Sequence, residues 1–339
     1  MQFHITQLTT YQPDEDPPFD VYFQQILEQV QLAEELGFAC FWFTEHHFLQ
    51  YGGAVPNPAV MLAAAATRTT CIHLGSAISI LPLRHPLQTA EDYAMVDVAS
   101  GGRLEFGMGL GNTEVDYTHY GIPRAESRAR FEEAADVIAG AWTTEHFSHH
   151  GRYWQLEDVA LYPKPVQRPH PPIWVAGTSA DSLGWAGRHG YSVMSVAHVR
   201  PPQLVRPGIA AWQEGLRASG HDPATRHTKL HVRLWVDEDG ARARATAERA
   251  IARYDRLSQM GRHSLLAPPP PEQYDWAGMR AQGRNVYGNP DEVIAGIRAA
   301  QHHFAFDCLG AQFNIGGIAH ADVLRAMRLF AREVMPAVA

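Results

Sequence analysis

Cysteine is scarce. The 339-residue chain holds three, Cys40, Cys71 and Cys308, an odd number, each in an apolar, strand-like segment. That pattern builds no disulfide framework, and buried free thiols in a reducing compartment are the simplest account. An excess of positive charge is also missing. Lys and Arg number 28 against 36 Asp and Glu, for a formal net charge of −8, and no basic block stands out. A nucleic-acid-binding surface is therefore not expected. Charged residues break every apolar run well before the roughly 18 residues that span a bilayer, so no membrane segment is expected either. The start, MQFHITQLTT, has neither a basic stretch nor an apolar signal core, and the cytoplasm is the expected location. Metal-binding spacings are absent too: there is no His-x-His, His-Glu-x-x-His or Cys-x-x-Cys.

What is present is ample core material, with 45% of residues apolar and 19% charged. Short strand-like runs recur between longer helical patterns, at 3–8, 40–43, 72–80, 103–108, 172–177, 191–196, 229–236 and 308–315. Their apolar residues run on rather than alternate, as in strands buried on both faces of a parallel arrangement. Asn57-Pro58 and Asn289-Pro290 each place a cap residue before a proline suited to a first helical turn. Gly101-Gly102 reads as a helix stop. Eight βα units predict an α/β fold, a (β/α)8 TIM barrel forming a single domain over 1–339. An open doubly wound sheet is the alternative, because alternation alone does not show closure. Three segments depart from the repeat and are expected to be insertions: a polar loop at 111–123, a hairpin with a Pro-rich return at 143–171, and an aperiodic loop at 257–288 placed to help close a site.

Four stretches carry the chemistry. In 41-FWFTEHHFLQYGG-53 an apolar strand ends in Glu45, His46 and His47, on the rim where barrels keep their functional groups. Successive strand side chains point to opposite faces, so only one of the two histidines can face the mouth. His46 is the candidate catalytic residue, with His47 structural. In 104-LEFGMGLGN-112 the glycines precede Gly111 and Asn112. They could admit a planar ligand or a phosphate to the backbone, although a tight turn explains them equally. In 174-WVAGTSADSLGWAGRHG-190 the strand ends at Ala176, and Gly177, Thr178 and Ser179 open a helix, which makes either an anion site or a plain N-cap. Arg128, in AESRARFEE, could supply the matching cation or merely pair with Glu132 one turn on. In 75-GSAISILPLRHP-86, Ser76, Ala77 and Ile78 offer small groups where a flat ring could lie. Phe41, Trp42, Phe43, Phe48 and Trp174 could wall such a pocket or fill the core. His146, His149 and His150 cluster without an acidic partner at set spacing, so no metal site is expected there.

Together these stretches resemble the luciferase-like family of flavin-dependent monooxygenases over nearly the whole chain. The resemblance is densest in EHHF (45–48), LPLRHPLQTAED (81–92), SGGRLEFGMGLG (100–111) and WVAGTSADSLGWA (174–186). It implies a (β/α)8 barrel with insertions, reduced FMN as cosubstrate from a separate flavin reductase, O2, and a small organic substrate. It also implies roles: His46 in oxygen chemistry at reduced flavin, a non-proline cis peptide at Ala77–Ile78 facing the flavin ring, and a phosphate site at Arg128, Thr178 and Ser179. The light-emitting branch carries Cys-Arg where this chain has Gly109-Leu110, so one phosphate contact of that branch is missing and light emission is not implied. Dimers are common in the family, which makes a homodimer an expectation without an interface legible in the sequence. A deazaflavin-dependent hydride-transfer enzyme of the same superfamily is the less favoured alternative. More remote are a metal-dependent barrel hydrolase using His46 and His47, and a non-catalytic flavin-binding subunit.

Overall fold

Strands buried on both faces carry apolar side chains in succession, and all four residues of CFWF at 40–43 are buried. The structure, a computed structural model, describes residues 1–260 and 270–338. Within them the strands are β1 (Gln2–Gln7), β2 (Cys40–Phe43), β3 (His73–Ser76), β4 (Ser79–Ile80), β5 (Leu104–Gly109) and β6 (Phe147–His150). There follow β7 (Gln155–Val159), β8 (Ile173–Ala176), β9 (Ser192–Val196), β10 (Thr228–Val236), β11 (Asn285–Gly288) and β12 (Cys308–Gln312). Eight of them, β1-β2-β3-β5-β8-β9-β10-β12, form a parallel ring in that order, closed by β12 against β1. Pairing of β9 with β10, Thr228 opposite Val193, completes the circle and overturns the open-sheet alternative.

Closure divides the apolar side chains into two sets. Phe41, Phe43, Phe106, Leu230 and Val232 face outward into the large core shared with the helices. Cys40, Trp42, Trp174, Met194 and Cys308 pack inside the ring, where Trp42 and Trp174 meet edge to face at 5.3 Å. Gly75 makes the Trp42 position tenable, since a Cβ there would overlap the indole.

The helix signals act as read. Oδ1 of Asn57 accepts from the amide of Ala59 at 3.1 Å, Asn289 and Glu292 form a capping box, and Gly101 ends its helix with φ +69°. The 143–171 segment carries the antiparallel β6–β7 hairpin. Two insertions are more regular than expected. The 111–123 loop contains the helix Glu114–His119. The 257–288 segment holds the helix Trp276–Ala281 and the strand β11, which pairs with the upper half of β10. Too short for periodicity, β11 gains its hydrogen bonds only because β10 outruns the ring. The middle of the expected closing loop, 261–269, lies outside the described residues. Cys40 and Cys308 are buried, but Cys71 is exposed. Its backbone lies just before β3, where the Glu34 carboxylate accepts from the amides of Cys71 and Ile72 at 2.7 and 2.8 Å. No helix among the described residues is long and apolar enough to cross a membrane.

Candidate active site

At the strand C-termini the ring opens into a cavity of about 550 Å³ that reaches down between β1, β9 and β10. The Glu-His-His triplet at the end of β2 splits there. His46 lines the cavity, its ring 5.4 Å from that of Tyr51. Gly52 brings the following loop across it, as a Cβ at that position would lie 2.5 Å from Cδ2 of His46. Burial first, and then the charge of His47, pull the His46 pKa down to about 4, so the imidazole is neutral at pH 7. His47 turns the other way. Its Nε2 donates to Oε1 of Glu45 at 2.9 Å, leaving Nδ1 to accept from the Tyr120 hydroxyl at 3.3 Å. The other oxygen of Glu45 accepts from the amide of Ile80 at 3.2 Å. Glu45 borders the cavity but spends both oxygens on holding the chain around it.

Ala77 and Ile78 also line the cavity, and the peptide between them is cis, as the resemblance implied. Ser76 is placed differently from the expectation. Its hydroxyl donates to the carbonyl of Gly107 at 2.8 Å and accepts from the amide of Gly107 at 3.0 Å, fully buried behind the wall. It joins β3 to β5 and does not reach the cavity, because the ring turns alternate residues of one strand to opposite sides. The same closeness explains Gly107, where a Cβ would overlap the Ser76 carbonyl oxygen. Gly111 and Asn112 lie on the cavity wall, with Gly111 at φ +70°.

A polar end forms where β8 stops. Ala176, Gly177, Thr178 and Ser179 line it, and the Ser179 hydroxyl caps the helix Ala180–Arg188 by accepting from the Ser182 amide at 3.2 Å. Arg128 borders this end rather than lining it. It donates through Nε to Glu132 at 2.5 Å, the pairing one turn on, and through Nη1 to the Ser182 hydroxyl at 2.8 Å, which brings it to the edge of this end. Arg124, one turn earlier, is the lining guanidinium that sequence reasoning missed. It lies 4.4 Å over the Tyr117 ring, donates to the Gly111 carbonyl at 3.2 Å, and keeps its buried Nη1 without a partner. Hydroxyls, a helix start and a guanidinium with one unpartnered nitrogen fit a phosphate monoester.

Sequence reasoning also missed the floor. Thr6, Lys229 and His231 line it, and His198 and Arg200 stand on the wall beyond β9. Burial pulls the Lys229 pKa down to about 7 and that of His231 to about 3. Their signal was the alternation in KLHVRLWV, where Lys229, His231 and Arg233 share one face of an otherwise apolar strand.

Of the proposed aromatic walls, Phe41 and Phe43 are core, Trp42 and Trp174 lie inside the ring, and Phe48 is exposed. Among the described residues the one group of three ligand types close enough to share an ion is His227, Asp307 and Cys308, at the strand N-termini and so at the far end from the mouth. His46 and His47 face different partners and do not converge on a common ion.

The model of a family described as luciferase-like monooxygenase matches residues 1–306. Limonene 1,2-monooxygenase of Rhodococcus erythropolis is 30% identical over 297 residues, which cover 86% of this chain and 74% of that protein. The oxygenase component of a flavin-dependent trigonelline monooxygenase of Acinetobacter baylyi is 31% identical over 50% of this chain and 48% of its own length. Among solved structures, monooxygenase RslO1 from Streptomyces bottropensis aligns with a TM-score of 0.93 and 31% identity, with both chains fully covered. Two more distant structures share the fold. One is the oxygenating constituent of 3,6-diketocamphane monooxygenase of Pseudomonas putida in complex with FMN, with a TM-score of 0.82 and 19% identity over 100% of this chain and 99% of that one. The other is an F420-dependent secondary alcohol dehydrogenase, with a TM-score of 0.77 and 20% identity over 100% and 99%.

Proposed function

The chain belongs to the luciferase-like monooxygenase family, and from that premise we propose that it oxygenates a small organic substrate with O2 and reduced FMN delivered by a separate reductase. The observation that carries this reading is one cavity joining a polar end, lined by Thr178, Ser179 and Arg124, to a neutral imidazole. The hydroxyls of Thr178 and Ser179, with Arg124 and with Arg128 acting through Ser182, would hold the phosphate. Ala77 and Ile78 would support the ring on the side of β3.

Reduced flavin, when bound, supplies the electrons that activate oxygen. The protein's own part is positioning, exclusion of water and proton control. Leu8, Ile80 and Val199 are apolar lining groups that keep bulk water from the reacting atoms. With its pKa near 4, His46 presents a free nitrogen lone pair at neutral pH, which lets the imidazole take up a proton and return it during the reaction. Glu45 and His47 act through the chain, by fixing the strand end from which His46 projects. The name of the Acinetobacter relative, an oxygenase component, supports a reductase as a separate protein.

The test is anaerobic titration with reduced FMN followed by a pulse of oxygen. Saturable binding and a transient absorbance distinct from both reduced and oxidised flavin are expected. Tight binding of a deazaflavin, with no such transient from FMN, would move the enzyme to hydride transfer.

A further inference from the structure

The cofactor reading leaves the cavity floor unused. Lys229 is 2% exposed there, its ammonium makes no hydrogen bond, and it lies 3.9 Å from the centre of the Trp42 ring. A buried ammonium without a carboxylate or hydrogen-bond partner is costly, and this one is accommodated by design of the ring. Gly310 of β12 makes room for it, since a Cβ there would lie 2.8 Å from Cε of Lys229 and 2.9 Å from the hydroxyl of Thr6. That hydroxyl is also buried and unpartnered, as is Nε of Arg200 on the wall above.

Among the described residues no carboxylate hydrogen-bonds to these groups. Glu45, which borders the cavity, has one oxygen bonded to His47 and the other to the Ile80 amide. Glu105, whose charge reaches Lys229, bonds His73 and the Trp174 indole. Asp255 is taken by Arg233. In the eight-membered ring β10 stands four places from β3. The backbone of Lys229 therefore lies across the barrel, and its side chain reaches the floor beside Trp42. The register partner of Trp42, Gly75, is two residues short of Ala77, so the ammonium sits deeper than a flavin ring set against Ala77 and Ile78.

We propose that the substrate is an organic carboxylate, with its charged group held by Lys229 and Thr6 on the floor and its apolar part against Leu8, Tyr51 and Val199. This inference rests on the cofactor reading for which part of the cavity is free. A desolvated carboxylate meets a desolvated ammonium, so each removes the other's uncompensated burial. An uncharged analogue of the same shape leaves Lys229 unanswered and loses that gain.

The experiment titrates the whole protein with benzoate and with benzamide, followed by tryptophan fluorescence, which Trp42 reports beside Lys229. Each titration is run without flavin and with oxidised FMN. Benzoate is expected to bind at least tenfold more tightly than benzamide, with and without FMN, and Lys229→Met is expected to abolish the difference while leaving FMN affinity within threefold. Three results overturn the proposal: no preference for benzoate, a preference that survives Lys229→Met, or competition between benzoate and FMN, which would assign the ammonium to the cofactor. If Lys229→Met does not fold, the wild-type preference and the FMN competition decide alone. Failure of FMN to bind while benzoate keeps its preference would overturn the cofactor reading and leave the carboxylate site standing.

Discussion

Adjacent histidines take opposite environments because successive side chains at a strand end leave on opposite sides. His46 meets the cavity, and His47 meets Glu45 and Tyr120. Their replacement by alanine should separate accordingly. His46→Ala should cut turnover by about 10² or more, the range of a lost proton-transfer group, with flavin affinity nearly unchanged and the urea midpoint close to wild type. His47→Ala should instead lower stability by about 1–3 kcal/mol, by stripping a buried carboxylate of its hydrogen bond. Stopped-flow kinetics and urea titration of the two variants check this, and equal kinetic loss in both would refute the division of roles. With the His46 pKa near 4, the acid limb of the turnover profile should fall well below the ordinary histidine value of about 6.5. Gly75 supplies a second test at this scale. Because a Cβ at that position would overlap the Trp42 indole, Gly75→Ala should cost about 1–3 kcal/mol as an overpacking change, read as a shift of the thermal midpoint.

At the scale of elements, one buried ion pair fastens the upper barrel. Nη1 of Arg233 in β10 donates to Asp255 at 2.8 Å, with both side chains 1% exposed. Asp255 belongs to the helix Gly240–Met260 and also accepts from the Tyr274 hydroxyl at 2.5 Å. Strand, helix and the segment leading to β11 meet at this carboxylate, which holds Arg233 further into its charged form. Asp255→Ala should therefore destabilise by about 3–5 kcal/mol, because the guanidinium stays buried without its counter-ion. Pairing it with Arg233→Met should recover a large part of that loss, and chemical denaturation of the single and double variants measures the coupling. Losses that simply add would show that the pair does not act as one. The strand itself was legible as KLHVRLWV, but the partner of Arg233 is 22 residues away on another element, and no spacing rule connects them.

At the scale of the molecule, four histidines inside or at the mouth of the barrel are kept neutral. Burial lowers the pKa of His4 and His198 well below 6.5, that of His46 to about 4 and that of His231 to about 3. Below about pH 6.5 the unfolded chain takes up protons that the folded chain refuses, so the stability these groups contribute is complete above that pH. It is then lost progressively as pH falls toward their folded values. Each fully buried one contributes a slope of up to about 1.4 kcal/mol per pH unit in that window. Urea midpoints should accordingly hold above about pH 6.5 and decline steeply from there toward pH 4, and a flat profile would sink the claim.

The division of information between sequence and fold follows from the range of the interactions involved. The eight barrel strands, the helix caps at Asn57 and Asn289 and the divergence of His46 and His47 were determined by the sequence alone, because strand runs, capping residues and side-chain alternation are local. Ring closure, the β11 strand, the retreat of Ser76 behind the wall and the surroundings of Lys229 were decided only by tertiary structure. Lys229 meets Thr6, Trp42 and Gly310, residues of three other strands that are neighbours only because a closed ring of eight brings its inward faces to a common axis.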